Sequence, residues 1–142
     1  MSKDWRSQAH VTWECKYHVV ILPKYRQKVF YGKFRRQVSE ILRELCRQKE
    51  VELIEGNAAP DHIHMLLSVP PKDSIAHTVG FLKGKSAIRL NKEFSKAKSI
   101  SKHFWIRGYF VSTVGLNEKT VRDYIKNQEL SDKRQLDLPE FD

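Results

Sequence analysis

His62-Ile63-His64, inside the run Pro60-Asp-His-Ile-His-Met-Leu-Leu, is the pair of side chains best placed to do chemistry in this chain. On a strand, residues two apart project from one face. The other parity, Ile63, Met65, Leu67 and Val69, is wholly apolar. One face of this strand therefore reads as core and the other carries two imidazoles close together. Such a pair suits two ligands of one metal ion, although a lone strand histidine is usually structural. Further along, Tyr124 and Gln128 stand four residues apart, so a helix would place them on one face. Val121 and Ile125 would supply its apolar contacts. Read alone, that stretch is also compatible with an ordinary amphipathic helix carrying a half-buried tyrosine and a solvated glutamine.

These groups need a scaffold, and the patterning supplies one. Val11 to Ile21 alternates and reads as a strand, with Val11, Trp13, Cys15, Tyr17, Val19 and Ile21 on one side. A basic, proline-containing loop follows to Gly32. Phe34, Val38, Ile41, Leu42 and Leu45 recur at helical spacing. Val51 to Ala58 is a second strand, and the turn 57–61 leads into the histidine strand, which Pro70-Pro71 ends. Asp73 or Ser74 can cap a second helix whose buried stripe is Ile75, Val79, Leu82, Ser86 and Leu90. Phe104 to Val114 reads as the last strand, Gly115 as a hinge, and Asn117 as the cap of a final helix reaching about Leu130. The order βαββαβ plus one helix predicts an α+β fold: a ferredoxin-like antiparallel sheet with two helices on one face. The face bearing the histidines would be left for a ligand or the last helix.

Composition narrows the partners. With 142 residues the chain is expected to form a single domain, its core about 10–130, ending in a short acidic tail at 137–142. A net charge of +9, from 26 Lys and Arg against 17 Asp and Glu, favours a polyanion, with nucleic acid first. A merely soluble basic protein is the plainer alternative. Cys15 and Cys46 have neither Cys-x-x-Cys spacing nor a disulfide pattern, and read as reduced core thiols of a cytoplasmic protein. No run is apolar enough to span a membrane, and no signal peptide, repeat or low-complexity stretch stands out.

The motifs together resemble a known family. His62-Ile63-His64 is similar to the His-hydrophobic-His signature of the HUH endonucleases. Val-Arg-Asp-Tyr124-Ile-Lys-Asn-Gln128 resembles the nucleophile helix of the single-tyrosine HUH transposases encoded by very small bacterial insertion sequences. Cys-Lys-Tyr-His-Val-Val, Pro-Lys-Tyr-Arg, Leu-Lys-Gly-Lys-Ser and Phe-Trp-x-Arg-Gly-Tyr-Phe share the likeness, which spans roughly residues 10–130. The resemblance implies cleavage and rejoining of single-stranded DNA at hairpin-marked element ends. Tyr124 would be the nucleophile, forming a 5′-phosphotyrosine link and leaving a 3′-hydroxyl. His62, His64 and Gln128 would hold a divalent ion, Mg2+ or Mn2+, and the chain would act as a homodimer whose active sites are shared between subunits. A neutral phenol is a poor nucleophile, so a polarised phosphate fits these residue types. Asp61 and Glu55 are candidates to support the ligands from behind.

Two other motifs fail on inspection. Gly80-Phe-Leu-Lys-Gly84-Lys85-Ser86 has one residue too few for a P-loop and lies within a helical pattern. Arg107-Gly-Tyr-Phe-Val-Ser-Thr resembles an RNA-recognition strand but falls on the fourth strand instead of the third. For DNA contact the candidates are Lys24, Tyr25, Arg26, Lys28, Arg35 and Arg36, and, from a second basic run, Lys83, Lys85 and Arg89, where cations interleave with aromatic rings. That second run continues through Lys92, Lys96, Lys98 and Lys102. Two other functions remain open: a domesticated relative acting on genomic repeat hairpins, and a noncatalytic nucleic-acid-binding regulator of the same fold.

Overall fold

Alternation along the histidine strand decides the architecture, because every residue from His62 to Ser68 is buried. A strand buried on both faces must be covered on both. The computed structural model describes residues 6–8, 11–94, 104–115 and 118–134. In chain order the elements are β1 (Arg6–Gln8), β2 (Val11–Trp13), β3 (Lys16–Ile21), α1 (Gly32–Gln48), β4 (Glu52–Ala59), β5 (His62–Ser68), α2 (Ile75–Phe94), β6 (Phe110–Val114) and α3 (Glu118–Arg134). Strands β1 and β2 form a small hairpin. The main sheet has the order β4-β5-β3-β6, with every neighbour antiparallel. That is the ferredoxin-like βαββαβ topology with α3 added.

One face of the sheet builds the main core. Val19 and Ile21 of β3 and Ile63, Met65 and Leu67 of β5 pack with Val38, Ile41, Leu42, Leu45 and Cys46 of α1. Val79, Leu82, Ala87 and Leu90 of α2 complete it. The α1 positions follow the three-and-four spacing that keeps one helical stripe inward. Leu42 is 2% exposed, and Leu42→Ala should cost about 2–5 kcal/mol. Urea unfolding would show this as a lower midpoint at unchanged slope. Helix α2 begins where Ser74, rather than Asp73, caps it: its Oγ accepts from the His77 amide at 2.9 Å.

On the opposite face α3 lies over the sheet. Ile125 packs against Leu66 and Val114, with Ile54 and Val121 beside them. Asn57 Nδ2 donates to the Ile125 carbonyl at 3.3 Å. Asn57 in turn accepts from Arg35, whose Nε also reaches the Ala58 carbonyl at 2.7 Å. At the helix start, Lys16, only 4% exposed, pairs with Glu118.

Three expectations about elements are corrected. The strand read as 11–21 is two strands, since Glu14 and Cys15 join no ladder and β2 pairs with β1 instead. Side-chain alternation continues across that break, so parity alone hides it. The last strand begins at Phe110, not Phe104. Before it, Phe104 and Trp105 fill the core, and Trp105 Nε1 donates to Ser86 Oγ at 2.9 Å. Gly108 at φ +80° then turns the chain into β6. Finally, α3 runs past Leu130 to Arg134. Asn117 and the acidic tail at 137–142 lie outside the described residues. The Gly80–Ser86 run is helical throughout, and β6, which holds only the Phe110–Thr113 part of the aromatic run, is an edge strand. Among the described residues, no helix is long and apolar enough to cross a membrane.

Candidate active site

The α3-facing parity of β5 brings the imidazoles of His62 and His64 together, with ring centroids 4.6 Å apart. Each ring is held through Nδ1. Asp61, on the turn just before β5, takes His62 Nδ1 at 2.7 Å. His18 of β3 lies 2.9 Å from His64 Nδ1 through its own Nε2, the two rings nearly parallel. With both Nδ1 atoms committed, Nε2 is the nitrogen each imidazole would present to a metal ion. A carboxylate behind a ligating histidine fixes tautomer and ring orientation, and that is the relation of Asp61 to His62. Asp61 is itself braced by Arg26, whose Nη2 donates to Oδ2 at 3.1 Å.

Helix α3 adds the phenol. Ile125 is fully buried in the α3–sheet contact, and Tyr124, one residue earlier, is 52% exposed beside the histidines. Its ring lies edge-on to His64 at 5.6 Å and to His18 at 6.3 Å. Two imidazoles and a phenol on different elements thus converge on one patch. The side chain of Gln128 falls outside the described residues, although its backbone belongs to α3. Among the described residues, no group of three or more His, Cys, Asp or Glu is arranged to hold a metal. Further donors to a metal on this pair could be of another type, such as an amide oxygen, water or phosphate.

Burial favours the neutral form of the His64 and His18 rings. Burial pushes His64 down to about 3, and the neighbouring His62 and His18 act in the same direction. Burial also lowers His18. Burial raises the Asp61 carboxyl, but the hydrogen bond and charge of His62 and the charge of Arg26 outweigh it, leaving it below the usual range. A histidine whose folded value is depressed takes its proton first in the unfolded chain. Its contribution to stability is therefore complete above about 6.5 and is lost as pH falls from there towards 3. Around His64 the other titratable groups are His62, His18, Asp61 and Tyr124, and Asp61 acts only near the acid end of that window. Chelator-treated protein should accordingly lose up to about 1.4 kcal/mol per pH unit through His64 between pH 6 and 4. A urea midpoint that stays level over this range would contradict the expectation.

Other anticipated residues are placed differently. Glu55 stands opposite Leu66, whereas the β4 residue opposite His64 is Asn57, the residue that links α3 to the sheet. Among the candidates for DNA contact, Tyr25 is 83% exposed, and Lys24, Lys28, Arg36 and Lys85 are exposed as well. Four others are committed within the fold, Arg26 among them through Asp61. Arg35 ties α1 to β4, Lys83 donates to the carbonyls of Ile106 and Gly108, and Arg89 pairs with Glu44 at 2.6 Å. Lys96, Lys98 and Lys102 lie outside the described residues. His18 has no role in the sequence reading. Its signal was an imidazole on the parity opposite the apolar Val19 and Ile21, the face that Lys16 and Val20 share.

The family profile described as "Transposase IS200 like" matches residues 11–128. The chain belongs to the IS200-like transposase family. The transposase for insertion sequence element IS200 of Salmonella typhimurium is 49% identical over 140 residues, covering 96% of this chain and 92% of that one. The ISDra2 transposase TnpA of Deinococcus radiodurans is 33% identical over 119 residues, covering 82% and 85%. Among solved structures, one described as a transposase from Deinococcus radiodurans R1 superposes with TM-score 0.69 at 30% identity, covering 87% of this chain and 96% of that one. The REP-associated tyrosine transposase, solved bound to a REP hairpin, gives 0.66 at 12% identity, covering 92% and 74%, and so shares the fold. The likeness to IS200 transposase extends from the β1–β2 hairpin through the tyrosine-bearing helix.

Proposed function

We propose that this transposase cleaves and rejoins single-stranded DNA at hairpin-marked element ends through a 5′-phosphotyrosine intermediate. The observation that carries the reading is the convergence of Tyr124 with His64 at 5.6 Å and of His64 with His62 at 4.6 Å on one sheet face. Tyr124 Oη attacks the scissile phosphorus, the bond to the 3′-oxygen breaks, and that oxygen leaves as a hydroxyl after taking up a proton. The phosphodiester bond energy stays in the tyrosyl link, so attack by a 3′-hydroxyl can later rejoin strands without a nucleotide cofactor. His62, His64 and Gln128 are the proposed ligands of a divalent ion, Mg2+ or Mn2+. When bound it polarises the phosphate and offsets charge developing in the transition state. Neutral ligands suit that task because they leave the positive charge undiminished.

Asp61 is the proposed support for His62. Asp61→Asn should weaken Mn2+ binding about 10- to 100-fold, read by titration calorimetry on protein shown by a thermal scan to be folded. We also propose a homodimer acting in the cytoplasm. In this chain α3 rests on its own sheet through Ile125 and the Lys16–Glu118 pair, so a helix serving the partner subunit would have to leave those contacts, with Gly115 as the hinge. Light scattering that gave a monomer at micromolar concentration would remove that part.

The deciding experiment is covalent trapping. Labelled single strands from the DNA flanking the element are incubated with the protein in Mg2+, Mn2+ or EDTA. A metal-dependent, protease-sensitive adduct is the expected result. Tight binding of the correct strand with no adduct in either metal would move the function to a noncatalytic binding protein. An adduct on dispersed repeat hairpins, with no element ends flanking the gene, would favour the domesticated reading.

A further inference from the structure

The short turn Lys24–Arg26 holds two consecutive non-glycine residues in the left-handed region, Tyr25 at φ 61° and Arg26 at φ 49°. Residues with a Cβ avoid this region unless their surroundings impose it. Here the surroundings do. The Lys24 amide donates to the Phe104 carbonyl at 2.8 Å, and Pro23 bridges to Trp105. The Arg26 amide donates to the Pro23 carbonyl at 2.9 Å. Burial of the tyrosine explains none of this, since its ring is 83% exposed. Strain that serves no packing is a pointer to function.

The location gives the strain its meaning. Arg26, the next residue, donates to Asp61, and Asp61 holds His62. The exposed ring is thus carried by a turn tied through two side-chain links to His62. Lys24 and Lys28 stand exposed on either side of it. An exposed aromatic ring flanked by cations offers base stacking and backbone attraction together, the combination that recognises single strands.

We propose that Tyr25 is a stacking platform for one unpaired nucleobase of the strand entering the histidine site. Arg26, through Asp61, sets the platform's position relative to His62. This rests on the single-strand DNA reading above and adds a subsite to it.

The test uses the full-length protein with EDTA, so that binding is read without cleavage. Fluorescence anisotropy is measured on a labelled single strand from the element end and on versions in which one nucleotide at a time is abasic. Asparagine tolerates the left-handed region, so Tyr25→Asn removes the ring and keeps the turn. Tyr25→Phe and Tyr25→Trp keep a ring. The ring-retaining variants should bind within about twofold of wild type, and Tyr25→Asn should bind about 5- to 150-fold more weakly. At one strand position, base removal should weaken wild type by a similar factor and leave Tyr25→Asn unchanged. Equal losses for both proteins at every position would overturn the proposal. So would unchanged strand binding by Tyr25→Asn accompanied by a changed sedimentation mass, which would make the ring a protein contact. Absence of an adduct from wild type in Mg2+ or Mn2+ would count against cleavage, while the abasic comparison would still decide the stacking site.

Discussion

Tyr124→Phe is expected to reduce the covalent protein–DNA adduct to background and to slow strand cleavage by on the order of 10³-fold or more. The substitution removes one oxygen atom and keeps the ring beside His64 and His18. Because Tyr124 is 52% exposed, folding stability should change by no more than about 0.5 kcal/mol. Single-strand affinity in EDTA should also match wild type, since the phenol contributes its nucleophile only once a phosphate is in place. Gel trapping, a cleavage time course and anisotropy on one preparation make the comparison. Cleavage that continued in the mutant without an adduct would assign attack to water and remove the tyrosyl intermediate.

His64→Ala should have an effect of comparable size by a different route. It deletes one of two proposed imidazole ligands and breaks the contact with His18 Nε2 at 2.9 Å. Cleavage should fall on the order of 10³-fold, and excess Mn2+ should restore little of it. Mn2+ binding by calorimetry should weaken in parallel, which Tyr124→Phe should not cause. Since His64 is buried, a thermal scan must accompany the assay, and His64→Asn serves as a smaller perturbation. Both variants retaining wild-type cleavage at low metal concentration would remove His64 from the ligand set.

Much of this arrangement was legible from residue order. Strand β5 declared itself through strict alternation, and the apolar parity of Ile63, Met65 and Leu67 fixed which way the histidines point. Spacing on α1 and α2 likewise located both core helices. What escaped notice depends on contacts distant in sequence. His18 meets His64 only because β3 and β5 are adjacent in the sheet, which strand patterning cannot announce. Arg35 and Lys83 read as DNA cations, and both also satisfy backbone carbonyls, a role that charge alone does not announce. The strained turn at Tyr25 was invisible for a related reason: local sequence sets a preference, and tertiary hydrogen bonds overrode it. The missed β1–β2 hairpin lay in a stretch with no turn dipeptide to mark it.

The layering of the sheet has a temporal consequence. Strand β5 is bonded on both sides, to β3 and β4, and buried throughout. Its amide protons should exchange with solvent only through near-global opening. Helix α3 covers one face, and its apolar anchorage centres on Ile125, with Val121 at the margin. Its amides should exchange through a cheaper local opening and reach deuterium saturation much earlier. The proposed ligand histidines and the proposed nucleophile would therefore sit on opposite ends of the molecule's clock, one group persisting while the other departs and returns many times.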